Sequence, residues 1–272
     1  HRGGTVNHLL RSLAPITDSA WDLLDEEARE RLTGALAARR LVDFSGPHGW
    51  QHSAVNLGRV AGVRTAPAKG VSGWQRQVLP LVELRAGFSL AREELRGHDR
   101  GAVDLDLAEL DDAAQRMAIA ENVAVFHGWP SAGLSGIAEA APGKPIALGK
   151  SAEAYPRSVA GAVERLLRRG IGGPYGLALG PDEFTRVSET AEHGGYPLLD
   201  HLGKILSGPI VWAPGVRGAV VLSMRGGDFL FDSGQDLAIG YEGHDDAVVR
   251  LYLEQSFAFV VATPEAAVSL SS

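Results

Sequence analysis

The sequence has no cysteine. That excludes disulfides, a thiolate metal site and a thiol nucleophile. It also excludes a small secreted scaffold held by cross-links, and makes a reducing cytoplasm the expected setting. No apolar run approaches the ~18 residues that a membrane-crossing helix needs, so no membrane partner is expected. The first residues, HRGGTVNHLL, lack the apolar core of a secretion signal, and a chain starting on His leaves room for residues before it. Positive charge is scarce: 26 Lys and Arg stand against 33 Asp and Glu, a formal net charge of −7. Non-specific nucleic-acid binding needs a basic face, so nucleic acid is not an expected partner.

Catalytic signatures are missing as well. Gly149-Lys150-Ser151 resembles the end of a phosphate-binding loop, but the glycine five positions earlier is replaced by Lys144. Gly226-Gly227-Asp228-Phe229 falls one acid short of a cyclase signature and reads as a turn. Gly170-Ile171-Gly172-Gly173 follows a helix, where a dinucleotide fingerprint follows a strand, so it reads as a helix C-cap. No serine sits in a Gly-x-Ser-x-Gly elbow. The nine histidines are scattered, and none forms a helical His/acid pair suited to metal. Asp111-Asp112 and Asp245-Asp246 read as solvated faces. No catalytic residue, metal site or cofactor is expected.

What is present is a chain of 272 residues with 45% apolar content, enough for one or two domains with a core. Residues 1–12 read as a flexible arm. Thr17 or Asp18 caps a helix with Trp21, Leu24, Ala28, Leu32, Ala35 and Leu36 on one face. A short strand, Leu41 to Phe44, and a turn over residues 45–49 follow. Residues 53–80 run out and back around Pro67, Gly70 and Gly73, which predicts a β-hairpin. With few large apolar residues such an arm needs another subunit to bury against. Val82, Leu84, Ala86, Phe88 and Leu90 alternate as the buried face of a strand. A long helix runs from a cap at Asp104 or Asp106 to about Phe126. Residues 128–150 form a Gly/Pro-rich boundary. The next block alternates helix and strand to about residue 223, with Val159, Val163, Leu166 and Leu167 turned inward on its first helix. After Met224 come a short strand, a polar loop over 240–246 and a long strand. Val249, Leu251, Leu253, Phe257, Phe259 and Val261 share one face of that strand.

Three late segments, GGDF, GQDLAIGYE and AVVRLYLEQSFAF followed by Pro264-Glu265-Ala266, resemble the C-terminal part of the encapsulins, bacterial shell proteins. LAPITDSAW (Leu13 to Trp21), RRLVDFSGPHGW (Arg39 to Trp50) and LPLVELRAGFSL (Leu79 to Leu90) agree with the N-terminal part. The resemblance runs in order from about Leu13 to about Ala266.

It implies an α+β, HK97 phage-capsid-like fold with a peripheral lobe, an axial lobe and an extended loop. The expected boundaries are 1–52 for the N-terminal arm and helix of the peripheral domain, and 53–80 for the extended loop. Residues 81–137 would carry the spine helix, 138–223 the axial domain, and 224–272 the return to the peripheral domain. The implied function is a self-assembling shell, a cytoplasmic nanocompartment built as an icosahedral homo-oligomer of the T=1 class. The implied partner is a cargo protein, a dye-decolourising peroxidase or a ferritin-like protein, held by a C-terminal peptide. The cargo groove maps to Leu32, Arg39, Asp43, Asp236, Leu237 and Ile239. The five-fold pore maps to His193, Gly194, Gly195 and Tyr196. Flavin binding is not carried over, because Glu93 stands where the family's flavin tryptophan falls. The alternatives are a phage major capsid protein packaging DNA, on the same fold, and a soluble enzyme with an unrecognised site.

Overall fold

The computed structural model describes residues 8–191 and 197–271. Helix α1 spans Asp18–Ala35, and Thr17 caps it by accepting the Ala20 N–H at 3.2 Å. Its buried residues, Trp21, Leu24, Ala28 and Leu32 among them, recur at three and four positions, the spacing of one helical face. Strand β1 (Asp43–Ser45) follows, then the hairpin β2 (Ala54–Val63) and β3 (Gly73–Pro80). β4 is Val82–Ala91, α2 Arg92–Asp99 and α3 Ala108–Phe126. Asp106 accepts the Ala108 N–H at 3.1 Å and so covers a free donor at the start of α3.

The second half holds α4 (Ile137–Ala140), β5 (Ile146–Ala147), α5 (Tyr155–Arg168), β6 (Tyr175–Leu179), α6 (Pro181–Glu189) and α7 (Leu198–Leu206). β7 (Ile210–Trp212), β8 (Ala219–Ser223), β9 (Phe229–Ser233), β10 (Ala238–His244), β11 (Val248–Val261) and β12 (Ala267–Ser271) follow. One sheet runs β1-β9-β11-β10, with β4 also paired to β11. A second runs β5-β12-β8-β6-β7, and the hairpin β2-β3 stands as a sheet of its own.

The hydrophobic pattern explains both cores. α1 and α3 pack against the Phe88, Leu90, Val249 and Leu251 face of the first sheet. The second core gathers α5, α7 and the wholly buried strands β6 and β8. In α5 the buried stripe is Tyr155, Val159, Ala162 and Leu166. Leu167, expected inward, is 58% exposed, because it lies about 100° around the helix from Leu166.

Three other expectations need correction. Residues 8–12 are not a free arm: the His8 ring stacks on Trp50 at 3.8 Å, and the Leu9 carbonyl accepts the Tyr241 N–H at 2.8 Å. The polar loop expected at 240–246 shrinks, because β10 continues to His244 and pairs with β11 across a bulge between Tyr241 and Gly243. Gly240 and Gly243 carry no strand signal, so the pattern ended too soon. Finally, the segment 224–272 divides between the sheets. β9 to β11 enter the first, but β12 pairs with β8 and β5 in the second.

Candidate functional site

A cleft of about 410 Å³ opens between α1 and the start of β10. Its walls come from two distant parts of the chain. α1 presents Ala28 and Leu32 on one side, and on the other the turn after β9 presents Asp236 and Leu237 and the start of β10 presents Ile239. The floor is apolar and nearly closed to solvent: Leu32, Leu36, Ile239 and Leu253 are at most 6% exposed. Leu237 is half-buried and so more open to a visitor than the floor.

The rim is charged. Arg11 donates to both carboxylate oxygens of Asp25, at 3.1 and 2.8 Å, and lies over the Trp21 ring at 4.0 Å. Arg39 closes the other end and is the most heavily engaged side chain of the site. Its Nη1 donates to Asp236 Oδ1 at 2.7 Å. Its Nε and Nη2 donate to Glu121 at 3.0 and 2.9 Å, and Nη2 also donates to Gln255 Oε1 at 2.9 Å. Burial works to lower the Arg39 pKa. The attraction and hydrogen bonding of Glu121, with Asp236 behind them, outweigh it and hold the pKa above the ordinary value. The guanidinium is therefore a fixed cation. Asp236 Oδ1 also accepts the Leu237 N–H at 2.8 Å, which ties the charged end of the cleft to its half-buried leucine.

The structure thus brings together five of the six residues assigned to the groove: Leu32, Arg39, Asp236, Leu237 and Ile239. Asp43 is not among the residues lining it. It starts β1, and its carboxylate accepts the Gly227 N–H in the turn before β9. His193, Gly194, Gly195 and Tyr196 lie outside the described residues.

Sequence reasoning missed Glu121 and Gln255, both fully buried. Glu121 had a signal. It falls on the apolar face of α3, in step with Ala114, Ala118 and Val125, where a lone carboxylate demands a partner. Gln255 had the same kind of signal, a polar side chain in the apolar phase of β11 between Leu253 and Phe257, but the spacing along the strand does not name its partner. The histidines judged scattered also include a pair that the fold joins. His48 and His52 meet Asp232, from β9, with their ligand atoms all within 4.8 Å of one another.

No nucleophile stands beside a base among the residues that line the cleft. The cleft joins an apolar floor to a charged rim, and its volume falls in the ~300–1,000 Å³ range of ligand sites.

The chain is similar to known proteins along nearly its whole length. Residues 6–258 match the family Linocin_M18, described as "Encapsulating protein for peroxidase". The chain is 44% identical to a type 1 encapsulin shell protein of Rhodospirillum rubrum, over 97% of this chain and 96% of the relative. It is 40% identical to that of Mycobacterium tuberculosis, over 98% of this chain and all of the relative. Among solved structures it resembles a virus-like particle from Pyrococcus furiosus with a TM-score of 0.65 at 15% identity, covering 91% of this chain and 98% of the other. It resembles the Mycobacterium phage Cain protein with a TM-score of 0.51 at 14% identity, covering 88% and 90%. At such identities the likeness shows the fold, which is that of HK97-like capsids.

Proposed function

The chain belongs to the encapsulin family as a type 1 shell protein, and from that premise we propose that its copies close into an icosahedral T=1 nanocompartment which captures cargo in the cleft between α1 and β10. The observation that carries the capture is the composition of that cleft. Buried leucine and isoleucine form its floor, Leu237 projects from the side, and Arg39 with Asp236 forms a fixed polar end. An extended peptide with alternating apolar and polar residues matches such a surface, as its apolar side chains find the floor and its backbone the charged rim. The cargo is a dye-decolourising peroxidase or a ferritin-like protein bearing that peptide at its C-terminus. Catalysis belongs to the cargo, and the shell supplies enclosure in the cytoplasm.

The hairpin β2-β3 supports assembly. It pairs with no other strand among the described residues, and it exposes Val60, Val63, Val71, Trp74 and Val78, each at least half open. Apolar surface of that density in an isolated arm marks an interface. The fitting partner is a second copy of this chain, since a shell built from one protein closes by repeating the same contacts around its axes. The pore is placed by resemblance alone at His193, Gly194, Gly195 and Tyr196, and would admit small molecules.

The test is co-expression with a reporter protein carrying the C-terminal peptide of a dye-decolourising peroxidase or of a ferritin-like protein. Capture predicts that the reporter sediments with the particles, and that the same reporter without the peptide does not. A reporter left in the supernatant in both forms, with intact particles, would overturn the cleft's role.

A further inference from the structure

His48 and His52 lie on the loop between β1 and β2, and Asp232 lies on β9. His52 Nε2 is 2.6 Å from Asp232 Oδ1, and His48 Nε2 is 3.5 Å from Asp232 Oδ2. Ser45 Oγ stands 2.9 Å from the same His48 nitrogen. The loop is held in place by its backbone. His48 N–H donates to the Ser233 carbonyl and Gly49 N–H to the Gly234 carbonyl, both at 2.9 Å. Gly46 allows this approach: its φ is +110°, and a Cβ there would lie 2.4 Å from the Ser233 oxygen. Two imidazoles and a carboxylate are therefore gathered within 4.8 Å of one another on main chain that is already tied to β9 and the turn after it.

We propose that His48, His52 and Asp232 form a binding site for a divalent transition-metal ion of the zinc type. The donor set is two nitrogens and one oxygen, the borderline chemistry that such ions take. A carboxylate beside two imidazoles is a donor set that favours a dication. Ligands about 2.0–2.1 Å from a tetrahedral ion stand roughly 3.3 Å apart. The present separations, 2.6 and 3.5 Å from the two histidines to Asp232 and all within 4.8 Å, bracket that value, so side-chain rotation would bring the three donors around one ion. The side chains of His48 and His52 are 41% and 29% exposed, so the rings are free to turn. Ser45 or water would complete the shell. A bound ion would pin the loop that launches the hairpin β2-β3 onto β9, and so fix the root of the arm. The site is separate from the cargo cleft, and neither depends on the other.

The full-length protein, stripped with a chelator, is titrated with Co²⁺, read by its visible absorption, and with Zn²⁺ by calorimetry. The expected result is one ion per chain that is lost in the double variant His48→Gln, His52→Gln. The Asp232→Asn variant should bind more than about tenfold more weakly, since even an outer partner of a ligand is worth that much. Equal binding by the parent and the double variant, or no binding by the parent, overturns the site and leaves a histidine–aspartate hydrogen bond only. A second measurement needs no variant. Zn²⁺ should protect His48 and His52 of the unaltered chain from carbethoxylation, peptide by peptide, while His98 stays reactive. Labelling of His48 and His52 that Zn²⁺ does not change also overturns it.

Discussion

Arg39 and Glu121 meet at the closed end of the cleft as a bidentate pair, with Nε and Nη2 of the arginine on the two carboxylate oxygens of a glutamate that is 0% exposed. Removing one partner of a buried pair strands the other charge, at a cost of about 3–5 kcal/mol, whereas replacing both by apolar residues of similar volume is often near neutral. Arg39→Met should therefore destabilise the protein more than the double variant Arg39→Met, Glu121→Leu. Thermal unfolding of the two variants checks this. Equal losses would show that Glu121 does not depend on Arg39.

Asn122 is the next test of the same region. Its Nδ2 donates to the carbonyls of Ala35 and Pro214, at 2.8 and 3.1 Å. Its Oδ1 accepts the Ala37 N–H at 3.1 Å. One buried amide thus joins the end of α1 to the chain leaving β7. Asn122→Leu keeps the volume and orphans these groups, each at about 1–3 kcal/mol. Denaturant titration should show a midpoint well below that of the parent, and an unchanged midpoint would refute the linkage.

Acid sensitivity should come in part from Asp228. Burial alone would raise its pKa, but hydrogen bonds from Arg225 and Thr263 and the charge of Arg225 hold it below the ordinary carboxylate value. A depressed pKa contributes stability that is present above the unfolded value of ~3.9 and fades as pH falls through the folded one. Asp228→Asn should therefore cost stability at neutral pH and flatten the decline below about pH 4. Melting curves across that window decide it. A variant with the parent's acid slope would exclude Asp228 as a source.

The cleft and the arm should separate by mutation. Leu237→Asp puts a charge at the half-buried mouth and should abolish reporter capture while particles still form. Trp74→Asp, at a residue 66% exposed in the isolated chain, should do the reverse and leave folded subunits that do not assemble. Sedimentation velocity of both variants reads the two effects. Capture retained by the first, or full assembly by the second, would contradict the assignment.

Much of this was legible in the sequence. The period-two run of β11 and the helical stripe of α1 were clear because each buries one strongly apolar face, and the hairpin showed through Pro67 and Gly70 at its tip. The groove residues came from resemblance, and five of them line one cleft. What stayed hidden depends on partners far away in the chain. Glu254 is buried on β11 because His8 and Arg85 reach it, at 2.8 and 2.7 Å. Gln255 is buried because Arg39 does. His48 and His52 become a cluster only when β9 brings Asp232 beside them. The spacing of residues along one strand can mark a polar side chain as out of place, but it does not name the distant partner.

The most direct test of the account is electron microscopy of the purified protein, with its mass measured in solution. The account predicts uniform, closed, hollow particles built from this chain alone. Monomers or small oligomers, persisting across salt conditions, would contradict it.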